Sequence, residues 1–441
     1  MSDDRGLPDD QDDELPPPVP PEARHPGWLG RLRAHGIDLT PLKISADFRR
    51  LFAGQAISEF GTQITLVAVP FQVYDLTDST AMLGLLALTE VLPLIVLPIV
   101  GGAIADAVER RRFLMIAQGA TALLSVALAA NAFLPDPQVW VLFVFSFLSA
   151  SALSLYSPAF RAWPARLLTA DLFTSSLALE VVYYQSAALL GPVLAGVLIY
   201  AYGVGWVYVV DAASYLAVIL ALRGMRPSPA TAERLSIGWS SIREGLRFLR
   251  GKQVLQGTFY IDLIAMIFGI PVVLYPAFTR DVLGGTPVEL GFLYAAEALG
   301  ALLVALLSGR AKHVRRQGLV TIVACMCWGL GIIGFGLAPT LLAAILFLML
   351  ASASDMVSGL YRDAILKTVT PDEMRGRMEG VSLSVVGTGP SIGNAEAGFL
   401  ASLTTIRTSI VSGGIACIIG AGVLAIVLPR YRRYDAANPA P

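Results

Sequence analysis

The sequence has 441 residues, of which 55% are hydrophobic and 15% are charged, and its net charge is −1. Soluble domains average about 45–50% apolar and about 25% charged residues. With a mean hydropathy of +0.66, the composition excludes a disordered chain, a coiled coil and most soluble enzymes, because so little polar surface cannot cover so much apolar content. It indicates a protein that crosses a membrane many times.

Twelve apolar stretches follow one another between residues 47 and 429. A helix that crosses a bilayer needs ~20 mostly apolar residues. We therefore predict an all-α membrane protein with 12 transmembrane helices in two pseudo-symmetric six-helix bundles. The predicted spans are 48–76, 80–107, 112–134, 138–160, 170–201, 204–223, 254–279, 287–310, 317–337, 340–366, 374–403 and 406–429.

The segments outside the spans differ from them in composition. Residues 1–46 are acidic and rich in proline, which predicts a disordered cytoplasmic tail, and we expect no cleavable signal peptide. Residues 224–253 link a bundle at 47–223 to a bundle at 254–429, and their apolar residues recur at helical spacing with arginines between them. This pattern predicts an amphipathic helix on the membrane surface. Residues 430–441 are a second cytoplasmic tail.

Lysine and arginine are distributed unevenly among the loops of this layout. Thirty of the 32 fall in the two tails and in the loops after spans 2, 4, 6, 8 and 10, which all share one side of the membrane. Only Arg280 and Arg407 fall on the other side. Because cytoplasmic loops are enriched in these residues, we expect a multi-pass protein of the cell membrane with both termini in the cytoplasm.

The two halves of the chain resemble each other. Span 2 opens with Gly84 and reaches Glu90 after five residues, and span 8 repeats this pattern with Gly291 and Glu297. A Gly-Pro pair recurs at the same offset of ~200 residues. The pairs are Gly191-Pro192 and Gly389-Pro390. Parallel halves joined by a long loop are typical of a transporter that arose by duplication.

A motif of small and charged residues connects spans 2 and 3. Gly102, Asp106 and Arg110 recur every four residues and so share a helix face, and Arg111 follows. An aspartate at this position can pair with the arginine one turn away or face the positive end of another helix. Alternatively, the arginines act only as charges that set the topology.

This motif resembles the loop signature of the major facilitator superfamily, Gly-x-x-x-Asp-(Arg/Lys)-x-Gly-Arg-Arg. The sequence departs from it at Ala107 and Glu109. The resemblance implies that Asp106 helps to lock the inner ends of spans 2 and 11 together in the outward-facing state. The equivalent stretch of the second half, residues 309–313, has no aspartate, so the lock would be one-sided.

Span 5 carries a second motif, in which Gly191 and Pro192 are followed by Gly196. It resembles the end of the span 5 signature of exporters in the superfamily, which implies a hinge or seal. The alternative is ordinary helix packing, because glycine and proline are common in membrane helices.

A closer resemblance covers about residues 47–425. The stretch from Thr370 to Arg377 before span 11 and the Ile261-Asp262-Leu263 run in span 7 resemble the enterobactin-exporter-like branch of the superfamily. The resemblance implies an inner-membrane exporter of siderophores, macrolides or other drug-like compounds that is driven by the proton gradient. Many proton-coupled members have an arginine inside span 4, whereas this span has no charge before Arg161, so coupling by that arginine is excluded.

Carboxylates inside the spans are the candidates for proton coupling or substrate binding, because charges at mid-bilayer are costly and mark functional sites. Glu59, Glu90, Asp262 and Glu297 lie about ten residues into spans 1, 2, 7 and 8, or ~15 Å deep, and Glu180 is about as deep in span 5. We expect no basic residue beside them, so they should tend to hold a proton. One or more would carry the coupled proton or bind a cationic group, unless they are static hydrogen-bonding groups. Further candidates are Asp211, Asp355 and Glu396.

The function that we predict is secondary active export of a small amphipathic molecule by alternating access, with proton antiport. The alternative is an importer or an uncoupled facilitator. A membrane enzyme would need a metal site or a histidine cluster, and the three histidines fall in tails and loops: His25, His35 and His313. We expect no cofactor, metal or nucleic acid. The expected partners are the substrate, protons and lipid, and we expect a monomer.

Overall fold

Twelve long helices make up most of the computed structural model, which describes residues 38–107, 109–161, 163–226, 239–307 and 314–437. Predicted and observed ends differ by about three residues at most. The helices of the first half are α1 (Ala46–Thr77), α2 (Thr80–Ala107), α3 (Arg110–Ala132), α4 (Val139–Arg161), α5 (Ala170–Tyr202) and α6 (Val204–Arg223). Those of the second half are α7 (Gln253–Val282), α8 (Pro287–Leu307), α9 (Gln317–Leu337), α10 (Leu341–Val369), α11 (Asp372–Leu403) and α12 (Ile406–Val427).

Ten of these helices are long and apolar enough to cross a membrane on length and composition alone. The two others, α1 and α11, each have 32 residues but carry more charged and polar side chains. Both pack against several helices: α1 against α5 and α6, and α11 against α2 and α7. Protein surroundings, rather than lipid, therefore accommodate their polar residues.

The helices pack mainly with partners in their own half. In the first half α1 packs with α6, α2 with α4, and α3 with α6; in the second half α9 packs with α10 and α12, and α8 with α10. The two halves meet where α2 packs on α11 and α5 packs on α8. We call the side of the helix layer at which α1 begins and α12 ends the terminal face. The opposite side, which carries the α1–α2 connection, is the turn face.

Helix α7 is interrupted near its middle. Its α-helical part ends at Phe268, and a 3₁₀ turn at Val272–Leu274 and a π-helical turn at Phe278–Val282 follow. The indole nitrogen of Trp328 donates to the Gly269 carbonyl at 3.1 Å, and the Val273 N–H donates to Asn394 Oδ1 at 3.0 Å. A break inside a membrane needs such partners, because no water is present to replace them.

The predicted linker helix is present as Trp239–Phe248, and it packs on the start of α11. A Cβ at Gly245 would lie 3.1 Å from the Arg377 carbonyl oxygen, and Glu244 pairs with Arg377 at 2.9 Å. The buried side chain of Leu249 joins an apolar cluster with residues of α7 and α11. The linker helix is therefore attached to the second half. Residues 227–238, which also belong to the predicted linker, lie outside the described residues.

The two predicted tails contain ordered segments at their inner ends. A short helix, Thr40–Ile44, precedes α1, whereas residues 1–37 of the predicted disordered tail lie outside the described part of the chain. After α12, Tyr431 is fully buried and its hydroxyl lies 2.5 Å from Thr321 Oγ1 of α9. The Ala437 N–H and the Arg315 guanidinium, which donate to Asp435, hold the pKa of that carboxyl below its usual value.

Candidate transport site

A cavity of about 310 Å³ lies between the two halves, at the level of the helix middles. Ligand pockets in proteins usually span about 300–1,000 Å³. A larger hollow of about 410 Å³ between α7 and α12 is lined by apolar side chains and Tyr260, so it offers no charged group. The lining of the central cavity comes from seven helices: Thr62, Thr65, Leu66, Val69 and Pro70 of α1; Leu86, Ala87, Glu90 and Leu94 of α2; Phe145, Ser146, Ser149, Ala150 and Leu153 of α4; Asp211 and Tyr215 of α6; Val272 and Val273 of α7; Tyr294 of α8; Asn394 of α11.

Glu90 lines this cavity and contacts both halves of the protein. Its Oε1 accepts a hydrogen bond from Ser146 Oγ of α4 at 2.7 Å. Its Oε2 lies 3.5 Å from Ser391 Oγ of α11, a hydrogen bond at the limit of the usual range. A carboxylate that spans the interface between halves experiences any relative movement of them.

Asp211 is a second carboxylate of the lining, and it is 1% exposed. Its Oδ2 accepts from Ser125 Oγ of α3 at 2.7 Å. The Thr65 hydroxyl interacts with the same carboxyl, but neither Asp211 Oδ1 nor Thr65 Oγ1, both buried, makes a hydrogen bond of good geometry among the described residues. The sequence had placed Asp211 only among the secondary candidates.

The other predicted carboxylates of the first half are not among the residues that line the cavity. Glu59 accepts from Gln63 Nε2 at 2.9 Å within α1. Gly191 of α5 packs on the same glutamine, because a Cβ at Gly191 would lie 2.7 Å from Gln63 Cβ. Glu180 is partly buried on α5. The structure thus connects Glu59 with the predicted hinge of α5 through one side chain.

Glu297 of the second half lies within an aromatic cluster. It accepts a hydrogen bond from the hydroxyl of Tyr275, which belongs to the irregular part of α7. The ring of Tyr275 packs edge-on against Tyr294 and Phe335, with centroids 5.1 and 5.4 Å away. Glu297 therefore holds the segment after the α7 break against α8.

The expectation that no basic residue accompanies the carboxylates was wrong for Asp262. Arg362 of α10 donates to Asp262 of α7 in a buried ion pair, with the side chains 14% and 9% exposed. The Asp355 carboxylate lies 3.9 Å from the same guanidinium. Because the arginine neutralises its charge, Asp262 is not the isolated carboxyl group that the sequence suggested.

Two close crossings of helices join the halves toward the turn face. Where α5 meets α8, a Cβ at Gly196 would lie 3.0 Å from Val288 Cα, and a Cβ at Gly291 would lie 3.0 Å from Val193 Cα. Where α2 meets α11, a Cβ at Gly398 would lie 2.5 Å from the Gly84 nitrogen. Both crossings therefore depend on glycines, which let helix backbones approach closely.

A group of polar side chains, which we call the turn-face cluster, connects α1 with the end of α7. Arg280 pairs with Asp78, which has a φ of 49°, and its guanidinium lies 4.4 Å from the ring centroid of Tyr74. The Tyr74 hydroxyl donates to Asp281, which is also 3.1 Å from Arg280 Nε. The π-helical turn of α7 places Arg280 and Asp281 next to each other here.

Substitution of Arg280 by glutamine should weaken closure of the turn face. Exposed ion pairs are worth about 0.2–1 kcal/mol, so opening should increase by a factor of about 1.4 to 5. The measurement is the reaction rate of a cysteine at Ser149, in the cavity lining, with an impermeant maleimide applied to the turn face. The matched control is Arg407→Gln, because Arg407 donates only within the second half, to the carbonyls of Gly336 and Ala338. Equal rates in both variants would contradict a role of the cluster in closure.

The predicted lock after span 2 is described only in part. Gly102 and Asp106 belong to α2, and their side chains lie outside the described residues. Arg110 is 7% exposed. Arg111 donates to the Met225 carbonyl at 2.7 Å and so connects the start of α3 with the end of α6, within one half.

Sequence reasoning missed Arg362, the pairing of Gly84 with Gly398, and Asn394. A charge inside span 10 could have indicated the first, since Arg362 falls within predicted residues 340–366. The contacts of Gly398 and Asn394 join segments far apart in the chain, and no local pattern indicates them.

A central cavity between two similar groups of six helices, with carboxylates at mid-membrane, defines a transporter that works by moving two halves about one site. The family model described as transmembrane secretion effector matches residues 37–441. The protein therefore belongs to this family, a branch of the major facilitator superfamily.

Characterised relatives and solved structures agree with this membership. The chain is 30% identical over 403 residues to the enterobactin exporter EntS of Shigella flexneri, covering 91% of this chain and 97% of that protein. It is 29% identical over the same length to the enterobactin exporter EntS of Escherichia coli O81 (strain ED1a), with the same two coverages. A crystal structure of the nucleoside transporter NupG shares the fold with a TM-score of 0.72 at 11% identity, over 86% of this chain and 99% of that one. A peptide transporter of the POT family has a TM-score of 0.71 at 12% identity, over 88% and 95%.

The family establishes that the chain is a secondary transporter of small molecules and not an enzyme. It is a multi-pass protein of the inner membrane. The predicted fold of 12 helices in two bundles is confirmed, because the structural neighbours are transporters of the same superfamily.

Proposed function

We propose that the protein exports a small amphipathic organic molecule from the cytoplasm, by alternating access and in exchange for protons. Support for export comes from the enterobactin exporters, which are similar over nearly their whole length. The cavity lies within one chain, and we propose that the monomer is the working unit. The division into bundles at 47–223 and 254–429 gives the two bodies that rock about this cavity.

The distribution of positive charge supports a cytoplasmic location of the terminal face and both termini. The turn face then points to the outside. The glycine crossings and the turn-face cluster join the halves on that outer side. This arrangement corresponds to an inward-facing state, in which the cavity loads its substrate from the cytoplasm.

The observation that carries the coupling proposal is the position of Glu90. It lines the cavity, and it bonds to α4 of one half and α11 of the other. A carboxylate prefers hydroxyl donors around it, whereas a protonated carboxyl needs fewer donors and tolerates separation from them. Protonation of Glu90 would therefore weaken its contact with Ser391 and favour separation of α11 from α2 at this point.

The predicted motifs of the first half have mechanical roles in this proposal. Gly196 and Pro192 contribute to the seal with α8, and Gly191 is the hinge position that packs on Gln63 of α1. Asp106, with Gly102, Arg110 and Arg111, would lock the opposite, inner ends of α2 and α11 when the outer side opens. Glu59 and Glu180, together with Glu297 and Asp262, are further candidates for the coupled proton.

Replacement of Glu90 by glutamine should abolish proton-driven export while leaving substrate exchange intact. Glutamine keeps an oxygen for Ser146 but cannot take up or release a proton. We expect at least about a hundredfold loss of gradient-driven transport, because a positioned proton-transfer group typically contributes about 10²–10⁴-fold. The measurement compares downhill exchange with gradient-driven transport in reconstituted vesicles. The control is Glu379→Gln, an exposed acid on α11; gradient-driven transport by Glu90→Gln at the control's rate would refute the coupling role.

Direction and substrate are tested by comparing metabolites in cells and in spent medium for a deletion strain and its parent. Export predicts a compound that accumulates inside the deletion strain and is missing from its medium. A compound left unused in the medium would instead establish the importer alternative and overturn the exporter proposal. If no metabolite changes, the exported compounds must be foreign to the cell. Resistance tests of the same two strains would then detect them.

A further inference from the structure

The central cavity presents negative and apolar groups to its contents, but no positive group. Of the twenty described residues that line it, Glu90 and Asp211 are acidic, and none is lysine, arginine or histidine. Resting on the export function proposed above, we propose that the site takes small amphipathic monocations, which compete with protons for Asp211 and Glu90. Anionic compounds have no counter-charge here.

One oxygen of Asp211 lacks a hydrogen bond of good geometry among the described residues. One carboxylate oxygen is held by Ser125 at 2.7 Å, whereas the other and the Thr65 hydroxyl beside it have no hydrogen-bond partner among the described residues. Asp211 and Thr65 both line the cavity. A buried polar atom without a partner costs about 1–3 kcal/mol. A proton on this oxygen would remove that cost, and a cation in the cavity would reduce it by attraction to the carboxylate.

No cation balances either carboxylate in the described part of the chain. The titratable groups that interact electrostatically with Asp211 are the phenols of Tyr156, Tyr208 and Tyr215, which are neutral at physiological pH. Among the described residues, the hydrogen-bond donors to Glu90 are the hydroxyls of Ser146 and Ser391. The negative charge of these carboxylates is desolvated, so it attracts a bound cation far more strongly than it would in water.

The remainder of the lining suits the apolar body of such a cation. Phe145, Tyr215 and Tyr294 supply aromatic rings, whose faces attract alkylammonium groups. Leucines and valines of α1, α2 and α4 complete the wall. A volume of about 310 Å³ restricts the ligand to the small end of drug-like molecules.

Competition between cation and proton would itself produce exchange. In the inward-facing state the cation displaces one proton from the carboxyl groups into the cytoplasm, and on the other side one proton displaces the cation. Binding of the cation therefore releases one proton, and acidification weakens binding. Each event conserves charge, because one positive charge replaces another at the same carboxyl groups.

The test uses the purified full-length protein and three probes with the same hydrocarbon skeleton: 4-phenylbutyltrimethylammonium, its uncharged tert-butyl isostere, and 4-phenylbutanesulfonate. The quaternary amine keeps its charge at every pH, so any pH effect belongs to the protein. We expect it to bind at least about tenfold more tightly than the other two at about pH 8. Its affinity should fall as the pH is lowered, and binding in weak buffer should release protons.

Variants assign the effect to the two carboxylates. The double change Asp211→Asn and Glu90→Gln should remove the preference for the cation, the pH dependence and the proton release. The control Glu379→Gln should keep all three, since Glu379 is exposed on α11 away from the lining. Should the double variant fail to fold, the pH dependence and proton release of the unaltered protein still decide.

Equal or tighter binding of the neutral or anionic probe, binding of none of them, or a preference for the cation that persists in the double variant would overturn the proposal. Vesicle transport separates this failure from failure of the export function. Gradient-driven movement of the sulfonate would leave export standing and refute the cation preference. Tight cation binding without gradient-driven movement of any probe would keep the preference and refute coupled export.

Discussion

The variant Arg362→Met should be less stable than the unaltered protein by about 3–5 kcal/mol, because it leaves the buried Asp262 without its partner. Methionine preserves much of the side-chain volume, so the loss measures the missing charge rather than a cavity. The double variant Arg362→Met with Asp262→Asn should recover most of this loss, since two neutral groups then face each other. The measurement is thermal unfolding in detergent micelles. With the single variant Asp262→Asn included, the four proteins form a double-mutant cycle that gives the coupling energy between the two residues.

The matched control is Lys367→Met, which removes an exposed cation from the same helix, α10. It should change stability by no more than about 0.5 kcal/mol. Equal stability of Arg362→Met and Lys367→Met would show that the ion pair does not form. Transport by the double variant then distinguishes two roles of Asp262. If gradient-driven transport is unaltered, the ion pair is structural. If gradient-driven transport is lost although stability is restored, Asp262 is a coupling residue.

The positions of the helices could be predicted from the sequence because the signal is local. Twenty apolar residues in a row have few alternatives in a membrane. The error at Asp262 arose from treating Arg362 as part of the loop after span 10. The helix continues to Val369, which places Arg362 about 10 Å inside its end. A cation at that depth needs a partner, and the facing helix supplies one.

The contents of the cavity were less predictable, because a single sequence does not give the rotation of each helix about its axis. Glu90 and Glu297 occupy equivalent positions in the two halves, yet Glu90 lines the cavity and Glu297 bonds to Tyr275. Asp211, in contrast, lines the cavity together with Thr65 of another helix, an arrangement that no local sequence pattern indicates. Duplication therefore indicates equivalent depth but not equivalent surroundings.

The internal repeat also coincides with the contacts between the two halves. Gly84 and Gly291, which open the repeated Gly-to-Glu pattern, lie at the two crossings between halves. Their partners differ: Gly84 meets Gly398 of α11, and Gly291 meets the backbone at Pro192 and Val193 of α5. The repeat thus marks one mechanical feature used twice, a seal formed by backbones in direct contact.

This seal leads to the second large effect that we expect, for Gly398→Val. A Cβ at this position would lie 2.5 Å from the Gly84 nitrogen and 2.8 Å from the Thr80 carbonyl oxygen. Because both are backbone atoms, no side chain can rotate away, and α11 must separate from α2. The seal at the turn face should then fail to close. Gly387→Val is the control on the same helix, since a Cβ there meets nothing within 4 Å.

A cysteine at Ser149, in the cavity lining, reports the opening in intact cells whose protein has its three native cysteines replaced by alanine. We expect an impermeant maleimide to label Gly398→Val at least about tenfold faster than Gly387→Val, which corresponds to ~1.4 kcal/mol in the open–closed equilibrium. Gly291→Val should behave like Gly398→Val, because it wedges the other crossing. Slow labelling of both wedge variants would contradict closure at the outer side, whereas fast labelling of the unaltered protein would contradict the inward-facing assignment. A seal made of backbone contacts has few intermediate positions. One added side chain should therefore keep the seal open throughout the transport cycle, whereas in the unaltered protein it opens and closes once in each cycle.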